Sequence, residues 1–239
     1  MNIRKHIPNT ITCASLVFGC YACILALNGN YYGAMIAIFI AAIFDFLDGF
    51  AARLLNAFSP IGKDLDSLSD MVSFGLAPGM ILFDFIDRSQ KSIDWGNPVY
   101  GKIFLLAAFL IPVFSALRLA KFNNDARQTS SFIGLPVPAN AIFWAPLIYV
   151  LDANYLGSLQ IPIIPLLIVL SCMIAGSSFL LVSEIPMFSL KVKKLGWKGN
   201  EIRYILLISA VGLVIGLGML GISLTILLYI ILSIFNKQK

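Results

Sequence analysis

Eight apolar runs, separated by short polar stretches, account for most of the 239-residue chain. They cover residues 11–27, 31–55, 68–86, 103–122, 138–151, 161–182, 202–217 and 222–235. A helix needs about 20 apolar residues to cross a bilayer. Eight such spans would use about 160 residues and leave room only for short loops. Composition agrees: 59% of residues are hydrophobic and 12% are charged, against about 25% charged in an ordinary soluble domain. The mean hydropathy is +0.89. A soluble globular domain has too little interior for so much apolar side chain, and a disordered chain needs the opposite composition. The expected fold class is all-α, a polytopic integral-membrane helical bundle of about eight transmembrane helices, read as a single domain over residues 1–239.

The first run follows Arg4 and Lys5, as a signal peptide would, but no clear small-x-small cleavage site follows it. It is read as a retained helix. Between 202 and 235 the apolar stretch is too long for one span; Gly216, Gly218 and Gly221 supply a break and predict a helical hairpin.

Charge sets the expected orientation. With eight spans, fourteen of the seventeen Lys and Arg residues fall on the side that carries both termini. Only Arg88, Lys91 and Lys102 fall on the other. By the positive-inside rule both termini face the cytoplasm of a cell (inner) membrane. The net charge of +5 is then read as loops meeting anionic headgroups rather than nucleic acid. The four cysteines lie inside apolar runs, so neither zinc nor a disulfide framework is expected. The single histidine, His6, allows no histidine-based triad within one chain.

Acids are scarce, yet five of the twelve lie between Asp45 and Asp70. Asp45 and Asp48 are three apart near the end of the second run, and Asp66 and Asp70 are four apart at the start of the third, so each pair shares a helix face. Ser59, Pro60 and Gly62 mark a turn between them, so the two acid faces can converge. Ionised carboxylates in a membrane helix each cost about 2.5–3.5 kcal/mol, and four together repel. Arg53 and Lys63 can neutralise two at most. Oxygen ligands without His or Cys suit Mg²⁺, Mn²⁺ or Ca²⁺. Asp64, two residues from Asp66, points elsewhere and is read as solvated. Gly49, Ala51 and Ala52 clear a face beside Asp48, for close helix packing or to admit a flat ring. A cation transporter is a competing reading, because intramembrane acids often mark ion paths. Transporter sites, however, tend to lie at the midplane in paired repeats. Here the acids crowd one end and no repeat is visible.

The pattern Asp45-x-x-Asp48-Gly49-x-x-Ala52-Arg53, eight residues, Gly62-x-x-x-Asp66-x-x-x-Asp70 resembles the signature of the CDP-alcohol phosphotransferase family in full. Eight positions at fixed spacing make it specific. Pro8-Asn9-Thr10-Ile11-Thr12, Ser69 to Gly75, Ala116 to Asn123 and Gly134 to Ala139 extend the likeness over residues 8 to 140, toward members that accept serine. Lys121 stands where arginine is expected.

The resemblance implies transfer of the phosphatidyl group from CDP-diacylglycerol to L-serine, giving phosphatidylserine and CMP, by a homodimer assisted by Mg²⁺ or Mn²⁺, with two ions expected. It assigns Asp45, Asp48, Asp66 and Asp70 as metal ligands, with Asp48 a bridge, and Asp70 as the base that takes the serine proton. Gly49, Arg53, Ser59 and Gly62 fall at positions of the motif that hold the nucleotide, with Asn9 and Thr12 as further candidates. N-capping of the first helix is the alternative role for Asn9 and Thr12. Serine's carboxylate needs a cation. Arg118, Lys121 and Asn123 are the candidates, Arg118 first because its fork suits a carboxylate, with membrane anchoring as the alternative for the two cations. Other phosphorylated acceptors, such as glycerol phosphate or inositol phosphate, remain the rival substrates within the family.

Overall fold

The structure is a computed structural model that describes residues 6–91, 93, 95–96, 98–124, 132–152, 162–188, 196–197 and 200–235. Of the charges used for orientation, Arg4, Lys5, Arg127, Lys191, Lys193, Lys194, Lys198, Lys237 and Lys239 lie outside the described residues.

Helix α1 (His6–Leu27) and helix α2 (Tyr31–Leu54) form an antiparallel pair. Gly29 at φ +72 turns the chain between them, and Asn30 caps α2 by accepting from the Gly33 amide at 2.9 Å. Their seam is built from small residues. Ala22 and Ala26 of α1 and Ala34, Ala37 and Ala41 of α2 are all buried, which lets the backbones approach closely.

The next helix starts well before its apolar run. Ser59 caps it by accepting from the Gly62 amide at 3.0 Å, and Pro60 occupies its first turn, where a missing amide costs nothing. Helix α3 (Pro60–Asp70) runs through a π-helical segment, Met71–Leu76, into helix α4 (Ala77–Gln90). Together they make one 31-residue helix. Pro78 has no amide to continue the α-ladder, and the Ala77 amide reaches back to the Val72 carbonyl, a π-type bond.

Helices α5 (Pro98–Ala108) and α6 (Leu110–Asn124) follow as one rod broken at Phe109. Pro112 cannot bond to the Ala108 carbonyl, and the Phe109 amide instead makes a tighter bond to Leu106 at 3.1 Å. Gly79 of α4 sits against the Pro112 ring at this break.

Helix α7 (Val137–Val150) is short but central: nine of its fourteen residues are buried, including Trp144 and Ile148. Helix α8 (Ile163–Val182) packs along α6. A two-residue antiparallel pairing, β1 (Phe132–Ile133) with β2 (Pro186–Met187), ties the chain entering α7 to the end of α8. Helix α9 (Glu201–Leu217) and helix α10 (Met219–Phe235) meet at Gly218, φ +57, so the predicted break is present. Helix α10 docks on α7 through a bond from Ser223 to the Phe143 carbonyl, 2.8 Å. Within α9 only Leu206 is buried.

Among the described residues, five helices are long and apolar enough to cross a membrane: His6–Leu27, Tyr31–Leu54, Pro60–Gln90, Val99–Asn124 and Ile163–Val182. Helix α7 has 14 residues, and α9 and α10 have 17 each. The described residues therefore form an all-α integral-membrane bundle in which five of the eight expected spans are long and apolar enough to cross a membrane. Pro136 bounds α7 at its start, and Gly218 divides the last apolar stretch between α9 and α10.

Candidate active site

The acids reach one place because their helices are antiparallel and joined by a short turn. Asp45 and Asp48 lie one turn apart near the end of α2, and Asp66 and Asp70 one turn apart on α3. One carboxylate oxygen from each of Asp45, Asp48 and Asp66 lies within 4.8 Å of the others. Oxygens sharing a divalent ion at about 2.0–2.6 Å are at most about 5 Å apart, so the triad has the span of one coordination sphere. Asp70 stands outside this triad but beside it, its carboxyl in contact with that of Asp45. Of the four acids expected as ligands, the structure brings Asp45, Asp48 and Asp66 into one triad and sets Asp70 beside it.

The donor set fits a hard cation. It consists of oxygens alone, and Asp48 Oδ2 and Asp70 Oδ1 are buried without a hydrogen-bond partner. A buried carboxylate oxygen left without a partner is costly, and a cation would satisfy both. Cys20 and Cys23 have Cys-x-x-Cys spacing on α1, a pairing that the reading from apolar runs passed over. Both are free thiols, as are Cys13 and Cys172.

A cleft of about 230 Å³ opens beside the triad. Asn9, Thr12, Gly49, Ser59 and Gly62, all expected to contact the nucleotide, line it together with Asp48 and Asp66. Asn9 Oδ1 and Ser59 Oγ both crowd the position a side chain at Gly62 would take, at 3.0 Å. Helix α1 is already formed at His6, so Asn9 and Thr12 lie within it rather than at its cap; Thr12 donates to the Pro8 carbonyl at 3.1 Å and touches Asp48. Arg53 is exposed at the rim, its guanidinium 3.5 Å from where a Gly49 side chain would begin. The sequence reading missed Pro8, Ala57 and Phe58, which also line the cleft. Pro8 lies in a stretch that carries the family likeness but has no role assigned there, and no charge or motif marks Ala57 and Phe58, which reach the cleft from the turn before α3.

The expected acceptor contacts separate. Arg118 on α6 is 7% exposed, and its Nε and Nη2 have no partner. It lies over the Phe122 ring, 5.1 Å to the centroid, within electrostatic reach of Asp70 and Tyr229. Lys121 is exposed and is paired with Glu184 at 3.6 Å. Asn123 donates to Ser67 at 2.8 Å, and its carbonyl accepts from Lys63 at 3.1 Å, which ties α6 to α3. Asp64 is exposed, as anticipated.

The comparisons with known proteins agree with this geometry. A family model described as CDP-alcohol phosphatidyltransferase matches residues 5–176. The chain is similar to a CDP-diacylglycerol-serine O-phosphatidyltransferase of Bacillus subtilis (strain 168), 35% identical over 134 residues, 56% of this chain and 70% of that protein. Proteins of the same name from Helicobacter pylori (strain J99) and Mycobacterium leprae (strain TN) are each 33% identical, over 150 and 191 residues. Those alignments cover 62% and 76% of this chain but only 59% and 57% of the two relatives' own lengths. With the family model spanning all of the acid cluster and the cleft, the chain belongs to the CDP-alcohol phosphatidyltransferase family.

Proposed function

We propose that the protein transfers the phosphatidyl group of CDP-diacylglycerol to L-serine, releasing CMP. The observation that carries the acceptor assignment is a buried Arg118 guanidinium, its Nε and Nη2 without hydrogen-bond partners, within electrostatic reach of the Asp70 carboxyl. Serine presents a hydroxyl to be deprotonated and a carboxylate to be bound, and these two groups answer both needs. The relatives named for serine transfer support the same choice.

Asp45, Asp48 and Asp66, with Asp70 beside them, would hold Mg²⁺ or Mn²⁺. Such ions supply neutralisation of the diphosphate and of the departing CMP. The remaining work falls to the chain. Asn9, Thr12, Gly49, Ser59 and Gly62 shape the cleft for the nucleotide, and Arg53 at its rim donates to phosphate oxygens. Arg118 holds the serine carboxylate, and Asp70 takes the hydroxyl proton as the serine oxygen bonds to the phosphatidyl phosphorus. The phosphorus–oxygen bond to CMP breaks, and the electron pair leaves with CMP. The site opens to the cytoplasmic side of an eight-span domain whose termini share that side, with α7, α9 and α10 as the short spans.

The test is CMP release from CDP-diacylglycerol by purified protein across a panel of alcohols, with and without chelator. Serine should be preferred and chelation should abolish release. Preference for glycerol phosphate or inositol phosphate would move the protein elsewhere in the family.

A further inference from the structure

The two acid-bearing helices meet at the site through α1. Ser15, 1% exposed on α1, donates its hydroxyl to the Ala41 carbonyl of α2 at 2.9 Å. In an α-helix that carbonyl also accepts the amide of residue 45, so the bond falls on the turn that carries Asp45. The carbonyl of the same Ser15 accepts from the Ser73 hydroxyl at 3.2 Å, three residues past Asp70. One turn away, Ser69, next to Asp70, donates to the Thr12 carbonyl at 3.3 Å. Gly19 lets Ser73 lie directly against α1, where any side chain at 19 would meet the Ser73 hydroxyl and backbone.

We propose that Ser15 is a positioning residue for the acid cluster: its hydroxyl fixes the Asp45 turn and its carbonyl fixes the π segment after Asp70, so one residue sets the register of both acid pairs. The inference rests on the metal reading of those acids, but Ser15 itself touches no acid. Three features favour positioning over general adhesion. Both bonds of Ser15 cross between helices, both reach turns adjoining the acids, and neither helix bears another hydroxyl donating to α1 except Ser69, among the described residues and bonds. A shared ion tolerates little change in ligand spacing, so a slip of either helix would weaken binding before it unfolded the bundle.

The experiment is Mn²⁺ binding to detergent-purified full-length protein, read by electron paramagnetic resonance of free Mn²⁺, alongside thermal denaturation. Ser15→Ala keeps nearly the same volume and loses the donor. Its Mn²⁺ dissociation constant should rise about three- to tenfold, the loss expected for one hydrogen bond, with little change in melting temperature. Ser15→Thr, which keeps a hydroxyl, should recover part of the affinity. Should Ser15→Ala fail to fold, Ser73→Ala removes the second bond and should raise the constant in the same way. Unchanged Mn²⁺ affinity in a folded variant overturns the proposal, as does a melting temperature that falls in step with a lost affinity that Ser15→Thr does not restore. Failure of the unaltered protein to bind Mn²⁺ overturns the metal reading itself, and this inference with it.

Discussion

The Tyr31 hydroxyl donates to Asp84 Oδ2 at 2.8 Å, joining the first residue of α2 to the last turns of α4. Arg88 Nε donates to the same oxygen at 2.5 Å, and its Nη2 reaches the Leu27 carbonyl at the end of α1 at 3.4 Å. This clasp lies at the end of the bundle opposite the acid cluster. Tyr31→Phe should cost about 1 kcal/mol of stability, because Arg88 still serves Asp84. Asp84→Ala should cost more, about 1–3 kcal/mol, since the Tyr31 hydroxyl, in a residue 2% exposed, is left without an acceptor. Thermal denaturation in detergent checks the order; an unchanged melting temperature in Tyr31→Phe would mean the hydroxyl bond contributes nothing.

Gly19 and Gly176 make a matched pair. A side chain at 19 would strike Ser73, whereas nothing lies within 4 Å of one at 176. Gly19→Ala should destabilise by about 1–3 kcal/mol through overpacking. Gly176→Ala should be neutral or stabilising by up to about 1 kcal/mol. Melting temperatures that move together would contradict the close approach of α1 and the π segment.

Arg118→Ala should raise the serine KM steeply or abolish transfer while leaving CDP-diacylglycerol binding intact. Loss of a buried charge-assisted contact is worth roughly 2–5 kcal/mol. A serine KM that does not change would return Arg118 to membrane anchoring.

Asp70→Asn keeps an oxygen for a cation but cannot accept a proton. If Asp70 is chiefly the base, substrate and metal should still bind and turnover should fall about 10²–10⁴-fold. Near-normal turnover at saturating metal would assign the base elsewhere.

Reporter fusions test the orientation. A fusion at Lys63, in the turn of α3, should read cytoplasmic, and one at Lys91, just past α4, should read external. The same sidedness for both would break the alternation on which the placement of the site depends.

Much of this architecture was legible in the apolar runs, because hydropathy reports what lipid requires of a helix. The run at 11–27 became α1 at His6–Leu27, and the run at 31–55 became α2 at Tyr31–Leu54. Hydropathy could not see that the third helix starts at Pro60, since its first turns carry Lys63, Asp64 and Asp66 and are set by the Ser59 cap. The spacing of the aspartates was readable as shared faces. That Asp70 would sit apart from a triad was not, because it depends on how α1 wedges between the two helices. Lys121 and Arg118 looked alike three residues apart. Their difference comes from α8, whose end supplies Glu184 to one and leaves the other enclosed.

The π segment at Met71–Leu76 has a consequence for how the gene can vary. A π turn holds one residue more than an α turn, and each residue of an α-helix advances the face by about 100°. Deleting one residue between 71 and 76 would remove that extra residue and restore an ordinary turn with the phase kept, whereas a deletion in the α-helical turns on either side would swing Asp66 and Asp70 by about 100° against Ile81 and Phe85, which are fixed in the core. Substitutions there are constrained mainly by size, and the extra residue gives the segment slack in the phase between its acid-bearing and buried faces. Single-residue deletions within 71–76 should therefore survive in a functional library more often than single-residue deletions in the flanking α-helical turns.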